Sequence, residues 1–354
     1  MLSMETKMIR KLLAEGQVIP AQPLALDTRR RLSEKHQRAI SRYYLEAGAG
    51  GLAVGVHSTQ FEIREPQHGL FEPVLALASE EIDRHVARTG RPVLKIAGLC
   101  GNTSQAVAEA GLAARLGYHA GLLSLAAMKE ATLDELVDHC AEVARHFPVV
   151  GFYLQPAAGG LILPSAFWRR FAEIDNVVAI KMAPFNRYQT IDVVRAVIEA
   201  GRDDIALYTG NDDSIVTDLL TPWVFPHRGR LVHRHIAGGL LGHWGVWTRR
   251  AVDQLERIKA ARDGKQISAE WLAEAVAVTD MNAALFDAAN KFHGCIPGIL
   301  EVLRRQGLAP SICCLNPKET LSPGQAEELD RVIAAYPHLV DDDFVAANLD
   351  RWLS

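Results

Sequence analysis

From residue 17 to about residue 260 the chain alternates between two hydrophobic periods. Short runs of Val, Ile, Leu, Ala and Gly are separated by longer stretches of 3.6-residue periodicity. The short runs are VIPAQPL (18–24), GLAVGV (51–56), PVLKIAG (92–98), AGLLSL (120–125), VVGFYLQ (149–155), VVAIKMA (177–183) and IALYTG (205–210), with an eighth inside LVHRHIAGGLLG (231–242). Helical stretches between them include residues 33–48, 104–117 and 133–147. Strands that are apolar on both faces belong to parallel sheets covered by helices. Eight of them, each followed by a helix, predict a (β/α)8 TIM barrel rather than an open doubly wound sheet. No GxGxxG follows the first strand, which argues against a dinucleotide fold.

The expected organisation is an N-terminal helical lead-in (1–16), the barrel (17–263) and a C-terminal helical region (264–354), the last broken by Gly and Pro near 294–297 and 307–323. One segment departs from the rhythm. TPWVFPHRGRLVHRH (221–235) is long and polar for a connection between the seventh and eighth strands, and reads as a lid or a subunit contact.

Charge and cysteine content narrow the function. A net charge of −4 with no basic tract leaves nothing to grip a phosphate backbone, so nucleic acid is not an expected partner. Cysteines at 100, 140, 295, 313 and 314 are odd in number and form no CxxC, which predicts thiols in a reducing cytosol. No apolar run approaches the ~18 residues of a membrane span, and the N-terminus lacks the apolar core of a secretion signal. A cytoplasmic protein without a membrane partner is the expectation.

Lys181 is the residue most suggestive of chemistry. In the middle of VVAIKMA its ammonium loses water whichever way it points, and desolvation frees the neutral amine that attacks carbonyls. Taken singly, a strand lysine more often snorkels to the surface, and Lys95 in PVLKIAG looks similar. Tyr153, in GFYLQP on the preceding strand, is placed to approach Lys181 and move protons, although a lone strand aromatic is more commonly core. The histidines at 227, 233, 235 and 243 lack a convincing third ligand, and His233 and His235 lie in an Arg-rich segment, so no metal is expected. His243 and Trp244 follow the eighth strand, where barrel sites form.

Together these segments resemble the dihydrodipicolinate synthase and N-acetylneuraminate lyase superfamily of class I aldolases, over about residues 17–335. GFYLQPAAGG is similar to the family's tyrosine strand, NVVAIKMAP to its Schiff-base lysine strand, and LYTGNDD to the acidic element after strand seven. AGLCGNT and LFDAANKFHGCIPGILEVLRRQGL are similar to the Gly-rich end of strand three and the C-terminal helical signature. The resemblance implies an imine on Lys181, proton transfer by Tyr153, and no dissociable cofactor. It also implies a 2-keto acid and an aldehyde as small-molecule partners, and a homo-oligomer, a dimer or tetramer.

GVHSTQF departs from the family's hydroxyl pair. Aligned without a gap, His57 and Ser58 stand at those positions; shifted by one residue, Ser58 and Thr59 do, and these two would hold the keto acid's carboxylate with His57 lining the pocket. Ala158 stands where the true synthase has an arginine, and Leu125–Ala126 where it has a tyrosine, which argues against lysine biosynthesis. Gly210, Asp212 and Asp213 match the element that binds sugar hydroxyls in the sialic acid lyase branch. Helix capping is the alternative role for these aspartates. The expected activity is therefore a lyase or aldolase on pyruvate or a longer, sugar-acid-like 2-keto acid. The competing readings are the synthase itself, a 2-keto-acid dehydratase or hydratase-aldolase, and a barrel that binds keto acids without turnover.

Overall fold

Runs of β-branched and aliphatic residues that bury both faces become strands here, as their patterning requires. The computed structural model describes residues 4–264 and 266–354. The strands are β1 (Val18–Pro20), β2 (Gly51–Val54), β3 (Leu94–Leu99), β4 (Ala120–Leu123), β5 (Val149–Leu154), β6 (Val177–Ala183), β7 (Ala206–Thr209), β8 (Trp223–His227), β9 (Arg230–Arg234) and β10 (Gly238–Leu241). Eight of them form one sheet in the order β1-β10-β7-β6-β5-β4-β3-β2. The fold class is a (β/α)8 TIM barrel with C-terminal helices. Every barrel strand residue but Leu154 is buried, which explains the unbroken apolar runs.

The chain forms two compact units; of the three boundaries, two fall within β3 and β10 and the third just before β1. One comprises the chain up to Gln17 with Ile96–Leu240; the other comprises Val18–Lys95 with Leu241–Ser354. In the first, the end of β3 pairs in parallel with β4, β4 with β5, β5 with β6, β6 with β7 and β7 with β10. The helix Met4–Ala14 is held here, because the Tyr208 hydroxyl donates to Leu13 O (2.9 Å) and accepts from Gln17 N (3.1 Å).

In the second unit, β1 and β2 are joined by the parallel bridge Ala21↔Ala53 and by Gln22 N donating to Ala53 O (2.9 Å). Ala21 N reaches Leu241 O (3.1 Å), which ties in the end of β10. The C-terminal helix Asp342–Trp352 returns to the helix Glu34–Ala47. There the Tyr43 hydroxyl donates to Asp341 Oδ2 (2.7 Å), and Trp352 Nε1 donates to Glu46 (2.9 Å). The Gly-Pro break near 294–297 is the start of a helix, Cys295–Arg305. Pro297 sits in its first turn, where a missing N–H costs nothing.

The long segment 221–235 is not a loop. Strands β8 and β9 form an antiparallel hairpin, closed by Arg228 (φ 49°) and Gly229 (φ 76°). Two successive residues with positive φ make the turn whose twist suits a two-residue hairpin. Trp223 anchors it, donating its Nε1 to Asp218 O (3.3 Å) beneath the Arg187 guanidinium, 4.7 Å from the ring. Among the described residues no helix is long and apolar enough to cross a membrane. No disulfide joins the described cysteines; Cys140 and Cys314 are buried and the other three are half-buried.

Candidate active site

Strand β6 carries Lys181 with its side chain on the face turned away from the covering helices. The two faces are told apart by their contacts. A Cβ on Gly151 would meet Phe171 of the helix Ser165–Ala172 at 2.6 Å, so Gly151 and its same-face neighbours look toward that helix. Register partners in a parallel pair share a face and successive residues alternate. Lys181 pairs with Phe152 on β5 and Tyr208 on β7, which places all three on the inner face.

The Lys181 Nζ lies 4.5 Å from the centre of the Phe152 ring. No described residue offers it a hydrogen bond. Burial lowers its pKa from 10.5 to about 8, and the Asp212 carboxylate partly opposes that fall. Gly210, just past the end of β7, makes room for it. A Cβ there would stand 2.5 Å from Lys181 Cε and 2.9 Å from Ala183 Cβ. The amine is thus drawn toward the C-terminal ends of the strands, where barrel enzymes do their chemistry.

Tyr153 does not join Lys181, contrary to the expectation from spacing. Val149 pairs with Val177, which would set Tyr153 opposite Lys181 if the register continued. It does not: Val150 pairs with Ala179, so Val178 is an extra residue and every later pairing slips by one. Tyr153 is therefore opposite Met182 and on the outer face. It packs against Trp168 (ring centres 5.2 Å apart). Its hydroxyl donates to Leu163 O and accepts from Leu163 N, both at 3.2 Å. The phenol pins the segment after β5, and the ring beside the lysine is Phe152.

The two aspartates of the acidic element after β7 differ in exposure. Asp212 is the half-buried carboxylate whose charge acts on Lys181. Asp213 is exposed on a cavity of about 180 Å³ that it shares with Asn186, Arg187 and Thr217. Local desolvation raises its pKa and Arg187 pulls the other way. The loop is fixed by residues that the sequence did not single out. Asn211 donates its Nδ2 to Asp218 (2.9 Å) and to Thr190 (3.2 Å), and its Oδ1 accepts from Phe185 N (3.0 Å). Asp218 is fully buried, accepts from Thr209 Oγ1 (2.8 Å) and pairs with Arg187. A polar Thr at the end of an apolar strand, followed by Asn, was the available signal for this network.

His57, Ser58, Thr59 and His243 belong to the second unit. The expected hydroxyl donors are already committed. Ser58 Oγ donates to Ala21 O (2.9 Å). Thr59 Oγ1 donates to Gln22 O (2.7 Å) and accepts from Gly55 N (3.0 Å) and Val56 N (3.2 Å). Each hydroxyl has a single proton to give, so neither is a ready donor to a carboxylate. Their role is to tie the turn after β2 to the chain beyond β1. Thr59→Val should therefore cost about 1–3 kcal/mol by stranding one carbonyl and two amides. A lowered unfolding midpoint with keto-acid binding retained is the expected result; a change in keto-acid KM alone would restore Thr59 as a ligand.

His57 is half-buried with its ring 6.0 Å from Phe61. Gln60 beside it holds φ 68°, a conformation of the kind that concentrates at functional sites. His243 is buried, edge-on to Trp247 at 5.7 Å, and burial lowers its pKa to about 4 despite a hydrogen bond with Asn282. It is neutral at physiological pH. No group of three or more His, Cys, Asp or Glu that could hold a metal ion occurs among the described residues.

The residues thus build a (β/α)8 barrel with a desolvated lysine on the inner face of its sixth strand. The dihydrodipicolinate synthetase family profile matches residues 15–221, more than half of the 354 residues, and the chain belongs to that family. Family and fold point to a class I aldolase or lyase. The barrel is similar to that of dihydrodipicolinate synthase from Oceanobacillus iheyensis (16% identity, 94% of this chain and 99% of that one, TM-score 0.72). It is also similar to N-acetylneuraminate lyase from Fusobacterium nucleatum complexed with pyruvate (18% identity, 92% and 99% covered, TM-score 0.69). At these identities the likeness shows the fold. No curated protein matches the chain.

Proposed function

We propose that the protein is a class I lyase that forms an imine between Lys181 and pyruvate or a longer 2-keto acid. The observation that carries this reading is the inward lysine, desolvated to a pKa of about 8 and given clearance by Gly210. At neutral pH roughly a tenth of such an amine is unprotonated, against under a thousandth for a solvent-exposed lysine. The amine adds to the ketone carbon and the carbonyl oxygen departs as water. In a longer 4-hydroxy-2-keto acid the iminium draws in the electron pair of the C3–C4 bond while the C4 hydroxyl gives its proton to solvent, leaving an aldehyde and an enamine, which is protonated at C3 and hydrolysed to release pyruvate and the free amine. The solved lyase complexed with pyruvate supports pyruvate as the first keto acid to try. Ala158 supplies no cation for a second carboxylate, so the proposal favours a lyase on a hydroxylated 2-keto acid over the synthase.

The test is borohydride reduction in the presence of pyruvate, followed by peptide mass spectrometry. A reduced adduct on Lys181 that disappears in Lys181→Ala is the expected result. Reaction only with longer keto acids would move the substrate, and no adduct across a keto-acid panel would leave a binding barrel without turnover.

A further inference from the structure

The second unit holds a group of charges that the lyase reading does not use. Three of its helices, Glu34–Ala47, Phe71–Thr89 and Asp342–Trp352, meet around a cavity of about 310 Å³. Arg42 comes from the first, Arg84 and Arg88 from the second, and Arg351 from the third. Two carboxylates lie among them, Glu46 and Glu81.

Both carboxylates are saturated. Glu81 is buried and accepts from Arg42 Nε (2.9 Å) and Nη2 (3.3 Å), Arg38 Nη1 (3.0 Å) and Arg84 Nη1 (2.7 Å). Glu46 accepts from Arg88 Nη2 (3.1 Å), from both terminal nitrogens of Arg351 and from Trp352 Nε1 (2.9 Å). A carboxylate offers about four acceptor positions, whereas a guanidinium carries about five N–H donors. Donors therefore outnumber acceptors. Arg84 gives Glu81 one nitrogen, with Glu80 3.8 Å away, and Arg88 gives only its Nη2, shared between Glu46 and His85. Positive charge is in excess too. Four guanidinium groups face two carboxylates, or three with the main-chain carboxylate of Ser354 at the rim.

His85 supplies an independent observation. It lines the same cavity, is 7% exposed, and its Nε2 has no hydrogen-bond partner. Arg88 donates to its Nδ1 (3.5 Å), which puts the ring proton on Nε2. Burial, with the charges of Arg91 and Arg88, holds its pKa below the usual histidine value. A buried N–H donor left without an acceptor is costly, and here it sits among surplus cations.

We propose that this cavity binds a phosphate group, either inorganic phosphate or that of a small monoester. Guanidinium groups arriving from three helices surround a ligand from several sides, which suits a tetrahedral oxyanion. A planar carboxylate is satisfied by a single fork. Arg84 and Arg88 supply the charged donors that remain, and His85 the neutral one. The bound group ties the C-terminal helix Asp342–Trp352 to the other two, because Arg351 and Arg42, which donates to Trp352 O (2.7 Å), border the cavity. A ligand held only by the folded chain raises its stability with concentration. The site lies wholly within the second unit and stands apart from the imine reading.

Calorimetric titration of the full chain with inorganic phosphate, at an ionic strength fixed with chloride, tests this. Saturable binding at one site is expected. Tighter binding of glycerol 3-phosphate would identify a monoester as the ligand, and weaker binding the ion itself. Arg84→Gln and Arg88→Gln each remove a largely exposed cation and leave Glu81 and Glu46 their other arginines. Each should weaken binding about tenfold or more, as expected for a charge-assisted hydrogen bond. Arg88→Lys should recover only part, since it restores the charge without the fork. Phosphate should raise the unfolding midpoint of the wild type more than that of the double variant, a difference that cancels the general salt effect. No saturable binding of either probe would overturn the site. Unchanged affinity in the double variant would also overturn it, provided its midpoint without phosphate matches the wild type. A preference for malonate over both probes would overturn the assignment to phosphate.

Discussion

Lys181→Met is expected to yield a protein that is inert toward keto acids and more stable than the wild type at pH 7. Methionine fills nearly the same volume without a charge to desolvate. The pKa displacement from 10.5 to about 8 corresponds to about 3 kcal/mol of native-state penalty, felt in full wherever the lysine is protonated in both states. The sign follows from the protons bound. Between pH 8 and 10.5 the unfolded lysine holds a proton that the folded one has released, so the wild type gains stability as pH rises through that window. Urea unfolding of both proteins at pH 7 and pH 10.5 checks this. The variant should have the higher midpoint at pH 7, and the gap should shrink toward pH 10.5. Equal midpoints at pH 7 would mean that the ammonium is better solvated than its burial implies. The same titration predicts that imine formation rises with pH and levels off above about pH 8.

Gly210→Val should also damage activity, less completely and by a different route. The added Cβ would lie 2.5 Å from Lys181 Cε and 2.9 Å from Ala183 Cβ, closer than real side-chain contacts allow. The lysine is the movable partner, so it must swing from its line toward the strand ends. A nucleophile misplaced by about 1 Å costs on the order of 10²-fold in rate. Overpacking should add about 1–3 kcal/mol of destabilisation. Ala183→Gly in the same chain should return part of the stability but little of the rate, since it relieves the contact with Ala183 and leaves the one with Lys181. Steady-state kinetics with thermal melts on the single and double variants separates the two effects. Wild-type rates in Gly210→Val would show that the lysine reaches its substrate by another path.

The barrel was legible because its information is one-dimensional. VVAIKMA and VVGFYLQ are strands by composition alone, and eight such runs with helices between them leave few architectures. Lys181 was legible for the same reason, because a lysine inside such a run is desolvated on either face. What the sequence concealed depends on pairing between strands. The 28 residues from Tyr153 to Lys181 equal the separation of Val149 from Val177, the pair that opens the β5–β6 ladder. Spacing therefore suggested neighbours, and only the extra residue at Val178 shows that they are not. The hydroxyls of Ser58 and Thr59 were concealed in the same way. Their carbonyl partners, Ala21 and Gln22, lie over thirty residues upstream and come within reach only when β1 lies beside β2. The polar stretch 221–235 misled by composition, since a hairpin outside the barrel can bear charge on its exposed face. Its HRGR tip was the clue to the turn.

The bulge at Val178 has a consequence for how a motif is read across this family. One unpaired residue shifts the whole downstream half of the β5–β6 pairing and so exchanges the ring beside Lys181, phenylalanine for tyrosine, with the sequence itself unchanged. A shift of register can thus change which ring stands beside the lysine without any substitution at these positions. Two chains can then share a lysine, a tyrosine and the 28-residue spacing between them while turning different rings toward the amine.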